Sequence, residues 1–213
     1  MRRIGLLLPG YACTSQIWRL VRPELDADYD ITWVDWPREL TPGFHTVEAF
    51  ASWLRRTIRL IDFDFVVGHS MGGLVALELA KMDRGFIRQI VIIETFLRSP
   101  APFFQNIFLG NAPGPEERFI RDMLEREKLN YSPRLREALQ QVDVSKAAAS
   151  LEQKVDAIYG DRGCGEPLRV IQELAWPSEL RQRVEISVVP NASHFPMIEN
   201  ARITAQTLRD ILK

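Results

Sequence analysis

Short apolar runs alternate with amphipathic stretches along the first half of this chain, and that alternation limits the folds open to it. Ile4–Leu8, Ile31–Trp36, Phe63–Val67 and Ile90–Ile93 carry few polar side chains, as strands do when both their faces are buried. Pro9-Gly10 stops the first run and Pro37 the second. Between the runs, Thr14 or Ser15 is placed to cap a helix carrying Ile17, Trp18, Leu20 and Val21. A second expected helix begins near Val47 and lines up Phe50, Trp53, Leu54, Ile58 and Leu60 on one stripe. A third runs from Met71 to Lys81. Strand, helix, strand in strict order predicts right-handed crossovers and a parallel sheet.

The pattern breaks after Phe96. From there to about Ser150 no strand is expected, and Pro100, Pro102, Pro113, Gly114 and Pro115 punctuate the segment. Two helices are predicted within it, near Glu116–Leu129 and Pro133–Val142, bearing Arg118, Arg121, Arg126, Arg134 and Arg136. A segment this short makes a weak core alone, so the expected organisation is one core, residues 1–95 and 151–213, with 96–150 inserted as a short helical lid. Strands resume at Val155–Tyr159 and Val184–Val189, separated by a helix near Leu168–Ala175. A closing helix is expected over Ile198–Leu212.

The 213 residues suit one domain with a real core. Lys and Arg number 27 against 28 Asp and Glu, so no global field favours nucleic acid or anionic lipid. The arginines of 96–150 fit a solvated helix face, or contact with an acidic substrate or carrier protein. Cys13 and Cys164 are too few for a zinc cluster or disulfide framework, which leads to the expectation of a reduced, cytoplasmic setting. The apolar run at Ile4–Leu8 is too short for a signal peptide's core, and no run approaches a membrane span. No metal or cofactor is called for.

The chemistry concentrates in Val66-Val67-Gly68-His69-Ser70-Met71-Gly72-Gly73-Leu74. A bare G-x-S-x-G arises by chance in roughly one chain of this length in fifteen. An apolar strand before it and a helix after it make it far more specific, because they put the serine on a tight, strained turn. Gly68 and Gly72 lack a β-carbon, so strand and helix can approach closely. The hydroxyl is thereby presented at the carboxyl edge of the sheet, beside the next helix's N-terminus.

These residues resemble the elbow of the α/β-hydrolase superfamily. Leu6-Leu7-Leu8-Pro9-Gly10-Tyr11 is similar to its oxyanion-loop strand, with Pro9 where a histidine is usual. Ser193-His194-Phe195-Pro196-Met197-Ile198-Glu199 is similar to its histidine loop. The resemblance implies an α/β-hydrolase fold, with a mostly parallel central sheet of about six strands, flanked by helices and without the two N-terminal strands many members carry. The short lid is similar to that of pimeloyl-carrier-protein methyl ester esterases.

Three histidines exist: His45, His69 and His194. A serine needs a base, and histidine suits neutral pH. His194 follows the last strand and should reach the edge that carries Ser70. His69 lies inside the elbow and reads as structural, while His45 could border a pocket. The triad's acid departs from the family pattern. The position three residues after Gly160 is Gly163, which has no carboxylate. Glu94 ends the fourth strand, where a branch of the haloalkane dehalogenases carries its acid, and a charge closing an apolar strand requires a partner. Asp161 is the other candidate, its alternative role being that of a turn residue. Glu94 is preferred.

The backbone N–H groups of Met71 and Tyr11 are the expected oxyanion donors. Phe96 and Phe104 begin a set of aromatics that either line an apolar substrate pocket or fasten the lid. The reading is a carboxylic ester hydrolase that works through an acyl-enzyme on a small-molecule ester or acyl substrate, free or carrier-bound. An acyl thioesterase, a lyase and a ligand receptor on the same fold are the alternatives.

Overall fold

The computed structural model describes residues 2–58, 63–82, 85–109 and 114–213. Six strands form one sheet: β1 (Ile4–Leu8), β2 (Asp30–Trp33), β3 (Phe63–His69), β4 (Ile87–Ile93), β5 (Lys154–Gly160) and β6 (Val184–Val189). Their order is β2-β1-β3-β4-β5-β6, and every pairing is parallel. The helices are α1 (Arg22–Asp28), α2 (Val47–Thr57), α3 (Met71–Met82), α4 (Pro115–Glu127), α5 (Pro133–Gln140), α6 (Ser145–Ala149), α7 (Pro167–Glu173), α8 (Ser178–Arg181), α9 (Pro196–Glu199) and α10 (Ala201–Ile211).

Alternation along the strands splits the core in two. Leu6, Val66, Ile90, Ile92 and Ala157 join Phe50 and Leu54 of α2 and Val75 and Leu79 of α3. Leu7, Val67, Val91, Ile93 and Ile158 join Leu25 of α1 and Leu208 of α10. Each fully buried side chain of this kind contributes about 1.5–3 kcal/mol, so both layers hold the sheet firmly. Residues 96–150 feed both clusters, through Leu97, Tyr131 and Leu135 on one side and Phe108, Ile120 and Met123 on the other.

Several element boundaries differ from those read in the sequence. The helix expected from Thr14 is a 3-10 turn at Ser15–Trp18, followed separately by α1. Thr14 does cap that turn, accepting from the Gln16 N–H. The second strand stops at Trp33, with one further bond from the Val34 N–H to the Leu7 carbonyl. Its neighbour β1 runs into Pro9, which has no N–H to continue the ladder. Helix α6 adds to the elements read from the sequence; just before it Asp143 accepts from the N–H and hydroxyl of Ser145. The single closing helix is two helices, broken at Asn200 (φ −142°). Leu60 of the α2 stripe lies outside the described residues.

The strand order reverses between β1 and β3, which in an open parallel sheet marks the crevice at the carboxyl ends. Register sets what meets there: Leu8 pairs with Gly68, His69 with Ile93, Ile93 with Ile158, and Gly160 with Val189. Residues one or two beyond those pairs, including Ser70, Glu94 and Arg162, must therefore share one edge.

Candidate active site

Ser70 sits between β3 and α3 with φ +53°, a conformation side-chain-bearing residues rarely adopt. Its N–H donates to the Ile93 carbonyl at 2.8 Å. The turn closes only because two neighbours are glycine. A β-carbon on Gly68 would lie 2.4 Å from the Gly72 backbone, and one on Gly72 would lie 2.5 Å from the Leu8 carbonyl oxygen. From the opposite side the Thr95 hydroxyl donates to the Ser70 carbonyl at 2.9 Å, in space left by the missing side chain of Gly73. Nothing in the sequence pattern marked Thr95. Its position one residue past Glu94 is the only signal that could have found it.

Glu94 (φ +50°) is fully buried at the end of β4. Its Oε1 accepts from the Gly160 N–H at 2.6 Å and from Arg162 Nη1 at 2.6 Å; its Oε2 accepts from Arg162 Nη2 at 2.5 Å. Oε2 also faces His194 Nδ1 at 3.4 Å. Burial pushes the carboxyl's pKa up, but the hydrogen bonds from Arg162 and His194 outweigh it and leave the group below its ordinary value. The buried acid predicted from the apolar strand thus has its partner, a cation the sequence reading did not identify.

His194 hangs from the loop after β6. Its N–H donates to the Ile107 carbonyl at 3.1 Å, and its own carbonyl accepts from His69 Nε2 at 2.8 Å. The His69 ring is fully buried, so desolvation above all, and then the nearby His194, hold its pKa well below the usual value. A neutral His69 therefore ties the elbow to the histidine loop. Glu199 of α9 completes that loop, its carboxylate accepting from the N–H groups of Ser193, Phe195 and Leu109 at 2.8, 3.2 and 3.2 Å. The rings of His194 and His69 stand 4.9 Å apart. Among the described residues no hydrogen bond yet joins the Ser70 hydroxyl to His194; such contacts commonly tighten only around substrate.

Asp161, the second candidate acid, is spent on its own turn. Its carboxylate accepts from the Gly163 N–H at 2.7 Å and the Gly165 N–H at 3.2 Å, and no contact links it to His194 among the described residues. Met71 opens α3 and Tyr11 lies in the turn after β1, where Gly10 crowds Ser70: a β-carbon there would lie 3.1 Å from that of the serine. The Tyr11 ring packs on Tyr131 at 4.8 Å. Phe96 lies parallel to the His194 ring at 6.2 Å. Phe104 is buried behind it, beneath the Arg162 guanidinium at 4.7 Å. His45 is engaged elsewhere, with Ser132 at 2.7 Å.

Among the described residues no cluster of three metal-binding side chains occurs, and no helix is long and apolar enough to cross a membrane. The chain is similar to the pimeloyl-[acyl-carrier protein] methyl ester esterase of Pseudoalteromonas atlantica, 25% identical over 126 residues. That match spans 56% of this chain and 46% of the relative, less than half of its length. Two solved structures share the fold. An esterase from Exiguobacterium antarcticum superposes with a TM-score of 0.75 at 12% identity, covering 99% of this chain and 91% of that one. The carboxylesterase CesB of Bacillus subtilis gives 0.66 at 14%, covering 99% and 84%. The alpha/beta hydrolase family model matches residues 6–207, and the chain belongs to that family.

Proposed function

We propose that this protein is a carboxylic ester hydrolase in which Ser70 is the nucleophile, His194 the base and Glu94 the acid. The observation that carries the reading is the chain of contacts at one sheet edge: a serine on a strained strand–helix turn, a histidine tied to that turn through His69, and a buried carboxylate 3.4 Å from the histidine's Nδ1. In this mechanism His194 Nε2 takes the Ser70 proton as Oγ attacks the carbonyl carbon. Glu94 accepts from Nδ1–H, fixing the tautomer and stabilising the imidazolium. The N–H groups of Met71 and Tyr11 receive the oxyanion, each worth about 3–4 kcal/mol when removed singly. His194 then protonates the departing alcohol, and water attacks the acyl-enzyme by the same route in reverse.

Residues 96–150 act as the lid, with Phe96 the aromatic wall beside the base. The carrier-linked methyl ester named for the Pseudoalteromonas relative makes a short alkyl ester of a carrier-bound acyl chain one substrate to try, and acyl thioesters another. A fluorophosphonate probe and p-nitrophenyl butyrate test the reading. The native chain should be labelled on Ser70 and turn the ester over, and Ser70→Ala should lose both, with kcat falling at least ~10³-fold. Hydrolysis that survives in Ser70→Ala would overturn it.

A further inference from the structure

Arg162 has no part in that mechanism as stated, yet it is one of the most committed side chains in the molecule. Its side chain is 5% exposed. Its Nη1 donates to Glu94 Oε1 and to the Gly160 carbonyl at 2.6 and 2.8 Å, and its Nη2 donates to Glu94 Oε2. Its Nε is buried without a partner, its guanidinium lies over Phe104 at 4.7 Å, and its backbone is held at φ +54°. Desolvating a guanidinium this far is costly, and as a fold-stabilising device a buried ion pair is often no better than an apolar one. The same Glu94 oxygen that takes Nη2 faces His194, so the cation bears on the base through one shared atom.

We infer that Arg162 is a positioning residue for the proposed triad: its two-nitrogen grip keeps Glu94 charged in a dry site and aims Oε2 at His194 Nδ1. The inference rests on the hydrolase reading above. Other groups facing the pair do not substitute for it. His69 at the end of β3 is neutral by burial, and Tyr159 on β5 is held protonated by burial. Glu199 on α9 is itself an acid, already engaged by backbone N–H groups. Without the guanidinium, burial favours the protonated carboxyl, and the coupled acid–base pair takes up its proton at higher pH.

The test is the pH profile of kcat/KM on p-nitrophenyl butyrate for the native chain, Arg162→Lys and Arg162→Met, each normalised to the fraction of Ser70 labelled by fluorophosphonate. Arg162→Met should move the acid limb to higher pH and cut activity per labelled serine by ~10-fold or more, the scale of a small misplacement. Arg162→Lys keeps the charge and should hold the limb near native while losing several-fold in kcat. Arg162→Gln keeps a donor without the charge and carries the same comparison if Arg162→Met does not fold. Neutral variants with the native acid limb and native activity per labelled serine would overturn the role of Arg162 alone. A native chain with no labelled Ser70 would overturn the hydrolase reading, and this one with it.

Discussion

Ala12, Ser70, Glu94, Arg162 and Asn191 all hold positive φ, and each lies within a few residues of the carboxyl end of β1, β3, β4, β5 or β6 in turn. Such strain costs roughly 1–3 kcal/mol per residue and persists only where the surroundings over-determine it. Here it turns the backbone sharply as it leaves the sheet, which brings side chains from separate strands to one point. It follows that Ser70→Gly, which tolerates φ +53°, should be inactive yet more stable than Ser70→Ala by about 1 kcal/mol, read as a higher urea midpoint. Thr95→Val keeps the shape but removes the donor to the Ser70 carbonyl. It should cost about 1 kcal/mol of stability, and kcat should fall more than KM changes. That Glu94 would be buried with a partner was legible because a charge closing an apolar strand needs one. Arg162 was not, since an arginine before glycine after a strand reads equally well as an exposed turn.

At the scale of elements, periodicity located all six strands and most helices, and erred where tertiary pairing decides an end. β2 is an edge strand whose sequence would support a longer run, but its neighbour stops at Pro9. The closing helix breaks because Glu199 turns back to cap the histidine loop rather than continuing a helix face. This short helix α9 therefore serves both the histidine loop, through Glu199, and the core, through Met197 and Ile198. Glu199→Ala should leave three backbone N–H groups unpartnered, cost roughly 1–3 kcal/mol, and lower kcat through the loosened His194 loop, as measured by chemical unfolding and steady-state kinetics together. On α4, the Glu127 carboxylate is buried and paired with Arg38 of the loop after β2, an attachment of the 96–150 segment that the spacing of charges did not reveal.

For the whole molecule, buried titratable groups set the response to acid: His69, held neutral by burial, disfavours the folded state as pH falls below the ordinary histidine value of 6.5, and the carboxylates act at lower pH. In Glu94 and Glu127 burial is outweighed by paired cations, so both lie below the ordinary glutamate value of 4.5. Each contributes stability that is present above that value and lost as pH falls below it. Glu199 has the opposite sign: burial raises it, so it favours the folded state more strongly once protonated. The urea midpoint should therefore fall as pH is lowered from 4.5 toward 3, and Glu127→Gln should shrink that fall. The parallel sheet follows from the chain's alternation, but the reversal of strand order near β1 and the meeting of strand ends depend on tertiary pairing and register, which no local pattern encodes. The most direct test of that meeting compares Glu94→Gln with Asp161→Asn on one activated ester. Glu94→Gln should lose about 10³- to 10⁴-fold in kcat and Asp161→Asn only a few-fold; equal losses, or the greater loss in Asp161→Asn, would contradict the account.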